Sequence, residues 1–112
     1  MKNNFIKFSE IKIFKSEKFY DNRGSFEIDI NTKELKRKLK IKNRFTQINR
    51  VYSKKNVLRG IHYQVSPHQQ SKIVYVVNGK ILDVIVDLRK KSKTYGKYYS
   101  IILSKKNSKK IF

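Results

Sequence analysis

The spacing of apolar side chains predicts a domain built mainly of β-strands. From Phe45 onward, apolar, β-branched and aromatic residues recur at every second position or in short runs, which is typical of strands in a sheet. The predicted strands are residues 45–52, 57–63, 73–77, 81–88 and 98–103. In the fourth of these, every second residue from Leu82 to Leu88 is apolar, whereas the opposite face is mixed. Short strands at close spacing favour a sandwich, a jelly roll or a barrel.

Two local signals add detail to this β pattern. Residues 32–40 are predicted to form a short peripheral helix, because Asn31 or Thr32 can cap it and lysines lie toward its end. Asn78 and Gly79 separate two predicted strands, and this pair suits a type I′ turn, in which both central residues need positive φ. The sequence therefore predicts a hairpin that joins strands 73–77 and 81–88.

Length and composition limit the kind of protein this is. A chain of 112 residues is predicted to form one domain, residues 1–112. The absence of cysteine excludes disulfides, thiolate metal sites and a cysteine nucleophile. No apolar run approaches the roughly 18 residues of a membrane span, and the first residues lack the apolar block of a signal peptide. We therefore expect a cytoplasmic protein that makes no membrane contact.

The charge raises a competing interpretation, that of a polyanion binder. Lys and Arg total 28 against 8 Asp and Glu, which gives a net charge of +20, and such a charge favours phosphate backbones. The lysines are nevertheless scattered along the chain. The absence of alanine and the abundance of Lys, Asn and Ile are also the bias expected of A+T-rich coding DNA. We therefore expect no specific nucleic-acid binding, and assign the basic clusters 36–42 and 105–110 to a helix surface and an edge turn.

Polar residues interrupt the strand-like pattern in the middle of the chain. On strands, Gln47 and Asn49 would share one face, as would Gly60 and His62, and together they could line the inside of a barrel. Arg59 has the opposite parity to His62, so that bringing both to one pocket needs a bulge or twist at Gly60. The residues alone leave open whether His62 is a general base or a hydrogen-bonded structural residue.

Two further features bear on what the chain could bind. No metal is expected, because His62 and His68 lie six residues apart and no nearby carboxylate completes a facial triad. Arg23 lies in a turn-like segment before Gly24, where it is either a solvated side chain or a clamp for phosphate.

An ordered series of motifs resembles the dTDP-4-dehydrorhamnose 3,5-epimerase family of the cupin superfamily. The likeness runs from about Phe19 to the last residue. Its most specific parts are the Arg-Gly-Ile-His-Tyr-Gln block at residues 59–64 and the Asp-Val-Ile-Val-Asp-Leu-Arg block at residues 83–89. The resemblance implies a cupin-type jelly-roll barrel, here incomplete. It also implies a homodimer that epimerises a dTDP-linked 4-keto-6-deoxyhexose at C3 and C5 for dTDP-L-rhamnose biosynthesis, without cofactor or metal.

The same resemblance implies roles for individual residues. His62 would be the base that removes the protons next to the C4 ketone, and Lys72 would lie beside the ketone oxygen. The implied substrate-binding residues are Phe19 and Arg23 for the nucleotide and diphosphate, and Gln47, Asn49 and Arg59 for the sugar site.

The chain also departs from the family pattern. The family usually has glutamate at the position of Ile28. It usually has glycine at the position of Asn56, but asparagine also tolerates the left-handed conformation of a turn. Family members continue beyond the position of Phe112 with a tyrosine proton donor and an aspartate that pairs with the base. We therefore interpret the chain as C-terminally truncated. An inactive dTDP-sugar-binding remnant, or a related 3-epimerase or ketoisomerase, remains an alternative.

Overall fold

The computed structural model describes residues 8–112, in which β-strands predominate and one short helix occurs. In chain order the elements are β1 (Ile13–Lys15), β2 (Glu17–Asp21), β3 (Gly24–Ile28), α1 (Thr32–Leu39), β4 (Val74–Tyr75), β5 (Lys80–Val86), β6 (Tyr98–Ser104) and β7 (Lys109–Ile111). The predicted fold class, mainly β with a short helix, is confirmed. The first three strands precede the region in which the apolar pattern predicted strands.

The helix α1 forms where the capping signals predicted it. The Asn31 side chain accepts a hydrogen bond from the backbone N–H of Glu34 at 3.3 Å, which satisfies one of the free donors of the first turn. Lys40 has φ 58°, a left-handed conformation that ends the helix. Leu35 is buried on the inner face. The predicted end, residue 40, therefore lies one residue beyond the observed end.

The strands form one three-stranded sheet and two hairpins, all antiparallel. In the three-stranded sheet β7 lies between β1 and β4, so that Ile111 pairs with Ile13 on one side and with Val74 on the other. The hairpins are β2–β3 and β5–β6.

The predicted hairpin at Asn78 and Gly79 is wrong. β4 pairs with β7 and β5 pairs with β6, so the chain leaves one sheet and enters another at this point. Gly79 has a positive φ of 81°, but Asn78 is not among the described residues with positive φ, and a type I′ turn needs both. The carbonyl of Gly79 instead accepts a hydrogen bond from Lys105 N at 3.0 Å, beyond the end of β6.

Strands 45–52 and 57–63 are also wrong, and strand 73–77 is reduced to the two residues of β4. Residues 40–73 form neither helix nor strand in the structure. An alternating pattern indicates which residues could share a face, but a strand also needs a neighbour to bond its backbone groups. None of the strands of residues 8–112 pairs with this segment.

The core lies where β6 packs against the three-stranded sheet. It is formed by Ile101, Leu103 and Ile111, and Leu103 is 0% exposed. The inner face of β5 is its mixed face, because Asp83 and Ile85 pair across from Ile101 and Tyr99 of β6. The fully apolar face of β5 therefore points away from this core.

Candidate functional site

The predicted site residues lie on two parts of the fold, the irregular segment 40–73 and the β2–β3 hairpin. The segment is fixed near both ends. Ile41 is buried, Asn43 donates a hydrogen bond to the Ser71 hydroxyl at 2.8 Å, and the Phe45 ring meets the Phe112 ring edge to face at 6.2 Å. These contacts position the segment although it has no regular backbone pairing.

Gln47 and Asn49 do lie together, as the sequence predicts. The Gln47 Nε2 atom donates a hydrogen bond to Asn49 Oδ1 at 2.8 Å, and both side chains are exposed. Their exposed amide groups leave hydrogen-bonding capacity free for a polyhydroxylated ligand.

Arg59 is oriented by the turn that precedes it. Its Nε donates to the Ser53 hydroxyl at 2.9 Å and its Nη2 donates to the Tyr52 carbonyl at 3.3 Å. Asn56 has φ 62°, so the left-handed turn expected at this position is present. The guanidinium therefore closes the loop that leads into the Arg-Gly-Ile-His block.

Gly60 bends the chain beside His62. Its φ is 107°, a conformation that L side chains rarely adopt. A Cβ added at Gly60 would lie 3.4 Å from the backbone N of His62 and 3.8 Å from its Nδ1. The backbone thus departs from an extended strand at Gly60, where a twist was expected, and a side chain at this position would lie in van der Waals contact with His62.

The structure does not join the predicted catalytic groups directly. His62 and Lys72 are both exposed, and in residues 8–112 no hydrogen bond or ion pair links either of them to the other or to Arg59. The roles of these three residues therefore remain predictions.

Arg23 lies in the turn of the β2–β3 hairpin, immediately before Gly24, which has φ 136°. Its Nη2 and Nε donate to Asp21 Oδ2 at 2.6 and 3.1 Å, and this contact lowers the pKa of Asp21. The Arg23 side chain is 86% exposed and still has free donors. Phe19 pairs across the hairpin with Phe26, with ring centroids 6.5 Å apart.

A cavity of about 180 Å³ lies away from all these residues, between β3 and β7. Its charged groups already form pairs, Lys105 with Glu27 at 3.1 Å and Lys110 with Asp29 at 3.3 Å. These two carboxylates flank Ile28, the position at which the family usually has glutamate. Lys109 also lines the cavity, so its three lysines face two carboxylates, and the lining includes none of the predicted site residues.

Sequence reasoning assigned no role to a polar cluster that begins at Asp87. This buried carboxylate accepts hydrogen bonds from Arg89 Nε and Nη2, both at 2.9 Å, and from the Thr94 hydroxyl at 2.6 Å. Arg89 Nη1 also reaches Glu10 at 2.7 Å. The spacing Asp-x-Arg-x-x-Ser-x-Thr at the end of a predicted strand was the sequence feature that could have indicated this cluster. The cluster ties the β5–β6 connection to the start of the chain.

We expect this cluster to make the protein sensitive to acid. Arg89, Ser92 and Thr94 hold the pKa of Asp87 well below its ordinary value of 3.8. Such a carboxylate stabilises the fold above its unfolded-state pKa, and the contribution is lost as the pH falls toward the folded-state pKa. The urea midpoint should therefore decrease below about pH 4, and less steeply in Asp87→Asn. Parallel pH curves for the two proteins would contradict this role.

The described residues form neither a metal-binding group nor a membrane-spanning helix. In residues 8–112 no three His, Asp or Glu side chains form a group that could hold a metal ion. Nor does this part of the chain contain a helix with the length and apolar character needed to cross a bilayer.

Comparison with known proteins identifies relatives along almost the whole chain. A family model described as dTDP-4-dehydrorhamnose 3,5-epimerase matches residues 6–112. The chain is 40% identical over 103 residues to the dTDP-4-dehydrorhamnose 3,5-epimerase of Shigella flexneri, a match that covers 92% of this chain and 57% of the relative. It is 39% identical over 100 residues to that of Methanothermobacter thermautotrophicus, covering 89% of this chain and 53% of the relative.

Solved structures show the same relationship. The Bacillus anthracis dTDP-4-dehydrorhamnose 3,5-epimerase with TDP and PPi bound gives a TM-score of 0.87 at 38% identity, over 91% of this chain and 58% of that one. The Legionella pneumophila dTDP-6-deoxy-D-glucose-3,5-epimerase in complex with dTDP-4-keto-L-rhamnose gives a TM-score of 0.88 at 38% identity. This match covers 96% of this chain and 56% of the relative. The chain thus spans little more than half the length of the relatives that it matches.

Proposed function

Because the chain belongs to the dTDP-4-dehydrorhamnose 3,5-epimerase family, we propose that it supplies the proton-abstracting side of such an epimerase site. The reaction converts dTDP-4-dehydro-6-deoxy-D-glucose to dTDP-4-dehydro-L-rhamnose by inverting C3 and C5. The observation that carries the proposal is the close match, over 96% of the chain, to a structure that holds dTDP-4-keto-L-rhamnose. The predicted cupin-type barrel is accordingly present in part.

In this proposal His62 acts as the general base. It takes the proton from C3 or C5, and the electron pair of the broken C–H bond passes to the C4 ketone oxygen as an enolate. Lys72 stabilises this negative charge, because a cation directed at a developing oxyanion lowers the barrier, and Arg59 adds positive charge where it lines the sugar site. The chemistry needs neither metal nor organic cofactor. We assign the proton donor on the opposite face, and the carboxylate that orients His62, to the part of the family fold that this chain does not match.

The other predicted residues bind the substrate. Gln47 and Asn49 present paired amides to the sugar. Arg23 offers its exposed guanidinium to the diphosphate, and Phe19 lies on the same hairpin for the nucleotide end. In a homodimer, this hairpin would lie near the site of the neighbouring copy. The protein would bind the nucleotide sugar in the cytoplasm.

Arg23 provides the test of nucleotide binding. We expect Arg23→Ala to weaken binding of thymidine diphosphate about tenfold at low salt, because a charge-assisted contact to phosphate is lost. Arg37→Ala is the matched control, since Arg37 is also exposed and paired with a carboxylate, Glu34, but lies on α1. Calorimetry measures both affinities. Equal affinities in the two variants would remove Arg23 from the diphosphate site.

A nucleotide-sugar-binding module without catalysis is the second candidate function. One observation favours it. The His62 side chain is exposed, and no other side chain of residues 8–112 forms a hydrogen bond that would orient its ring. Binding of thymidine diphosphate by a folded chain that exchanges no substrate protons would establish this alternative.

A further inference from the structure

Side-chain charges, and not strand pairing, attach the β2–β3 hairpin to the rest of the fold. Within residues 8–112 the hairpin pairs with no other strand, and no backbone hydrogen bond joins residues 17–28 to another element. The aromatic side chains of its strands are more than half exposed. Glu17 and Lys38, at 3.5 Å, join it to the helix that follows it in the chain. A two-stranded hairpin has little stability of its own in water, so its orientation depends on such side-chain contacts.

Two ion pairs hold the base of the hairpin against the β6–β7 side of the fold, and together they are termed the ionic anchor. Glu27 of β3 accepts a hydrogen bond from Lys105 Nζ at 3.1 Å, just beyond β6. Asp29, directly after β3, accepts one from Lys110 Nζ of β7 at 3.3 Å. All four residues line the cavity of about 180 Å³ between β3 and β7. The contact therefore surrounds an open space and is not close-packed.

The Lys110 pair is the stronger of the two constraints. The Lys110 side chain is 3% exposed, and its Nζ also lies 3.7 Å from the centre of the Tyr75 ring. A buried ammonium is costly unless it keeps a partner of opposite charge, and an aromatic face adds attraction. Asp29 is the carboxylate that provides this partner. Moving the hairpin away from β7 would therefore leave a buried positive charge without its carboxylate.

Arg23 lies at the tip of the hairpin, far from the ionic anchor at its base. At about 3.3 Å per residue, the six residues from Asp29 to Arg23 span roughly 20 Å. Over that length, a tilt of about 10° at the base would displace the tip by roughly 3.5 Å. This displacement exceeds the length of a hydrogen bond, so a guanidinium directed at a phosphate would lose its contact.

We propose that the ionic anchor sets the orientation of the β2–β3 hairpin and thereby positions Arg23 for the diphosphate of the nucleotide. Its four members are positioning residues, because they act through the guanidinium of Arg23. The inference rests on the role proposed above for Arg23. The orientation of the hairpin is nevertheless measurable without nucleotide, so a failure of the anchor is distinguishable from a failure of the proposed function.

Reversing the charges of the more accessible pair tests the anchor. Lys105→Glu places two carboxylates side by side, whereas Lys105→Glu combined with Glu27→Lys restores an attractive pair with exchanged signs. The Lys105 side chain is 52% exposed, so we expect its variants to fold. Lys106→Glu is the matched control, because it makes the same charge change at the next residue, which is exposed and forms no ion pair within residues 8–112.

One measurement reports the orientation of the hairpin and another reports nucleotide affinity. The chain has no cysteine, so Ser25→Cys on the hairpin and Lys91→Cys on the β5–β6 connection provide two unique sites for nitroxide labels. Pulsed electron paramagnetic resonance measures the distance between the labels without nucleotide, with labelled chain diluted in unlabelled chain. Calorimetry at one fixed salt concentration measures the affinity of the unlabelled variants for thymidine diphosphate.

We expect Lys105→Glu to shift or broaden the distribution of label distances. It should also weaken binding of thymidine diphosphate about fivefold, because a smaller fraction of the chain holds the hairpin in the binding orientation. The charge-exchanged double variant should restore both properties, and Lys106→Glu should behave as the wild type. Lys105→Gln, which removes the charge without adding repulsion, repeats the test should Lys105→Glu fail to fold.

The contrary results separate the anchor from the proposed function. An unchanged distance distribution in Lys105→Glu would overturn the anchor and leave the proposed function as it stands. A changed distribution with unchanged affinity, or equal losses of affinity in Lys105→Glu and Lys106→Glu, would overturn the positioning role. No binding of thymidine diphosphate by the folded wild-type chain would overturn the proposed role of Arg23, and this inference with it.

Discussion

Replacing His62 with alanine is expected to reduce solvent exchange of the C3 and C5 protons of dTDP-4-keto-6-deoxyglucose by about 10²- to 10⁴-fold. The assay uses the chain joined to the unmatched portion of a relative, so that the site is complete. The reason is chemical, because an α-proton leaves only when a positioned base accepts it. Proton NMR in deuterated water follows the loss of the two signals.

His68→Ala is the matched control for this experiment. His68 is the other histidine of the chain, it is also exposed, and it lies six residues further along the same irregular segment. Its replacement should leave the exchange rate unchanged. An exchange rate that is unchanged in His62→Ala would remove His62 as the base, and equal losses in both variants would indicate a structural effect.

Truncating Leu103 to alanine should lower the free energy of unfolding by about 2–5 kcal/mol, because the change leaves a cavity in the core. Leu103 is fully buried in the core that it forms with Ile101 and Ile111. Ile102→Ala is the control, since the neighbouring side chain points outward, and it should cost less than about 1 kcal/mol. Urea denaturation of the free chain measures both values.

A milder variant keeps this test decisive. Ile111→Val removes one methylene from the same core and should cost about 0.5–1.5 kcal/mol even if Leu103→Ala proves too unstable to purify. Equal effects of the substitutions at positions 102 and 103 would contradict the assignment of the inner and outer faces of β6.

Local signals in the sequence predicted local structure well. The Asn31 cap and the Leu35 face fix α1 because both act within a few residues. Strand pairing depends on distant residues, and for that reason the Asn78-Gly79 hairpin was wrong. In the structure β4 pairs with β7, some 35 residues away. The spacing of residues within β4 cannot predict this partner, because the pairing depends on competition among all available strands.

Only the local features of the candidate site were predicted from the sequence. The paired amides of Gln47 and Asn49 and the bend at Gly60 follow from neighbouring residues, and the structure contains both. The predicted polar barrel wall does not form as strands, because no strand in the described part of the chain pairs with segment 40–73. The Asp87 cluster was missed because its members are spread over a connection whose path the alternating pattern does not report.

The measurement that tests the central claim most directly is deuterium exchange catalysed by the 112-residue chain alone. Removing a proton and returning a deuteron on the same face needs only His62 and the enolate-stabilising cations, whereas inversion needs a donor on the opposite face. We therefore predict that the C3 or C5 signal of dTDP-4-keto-6-deoxyglucose disappears faster than in a protein-free control, with configuration retained. No loss of either signal from a folded chain that binds thymidine diphosphate would contradict the account.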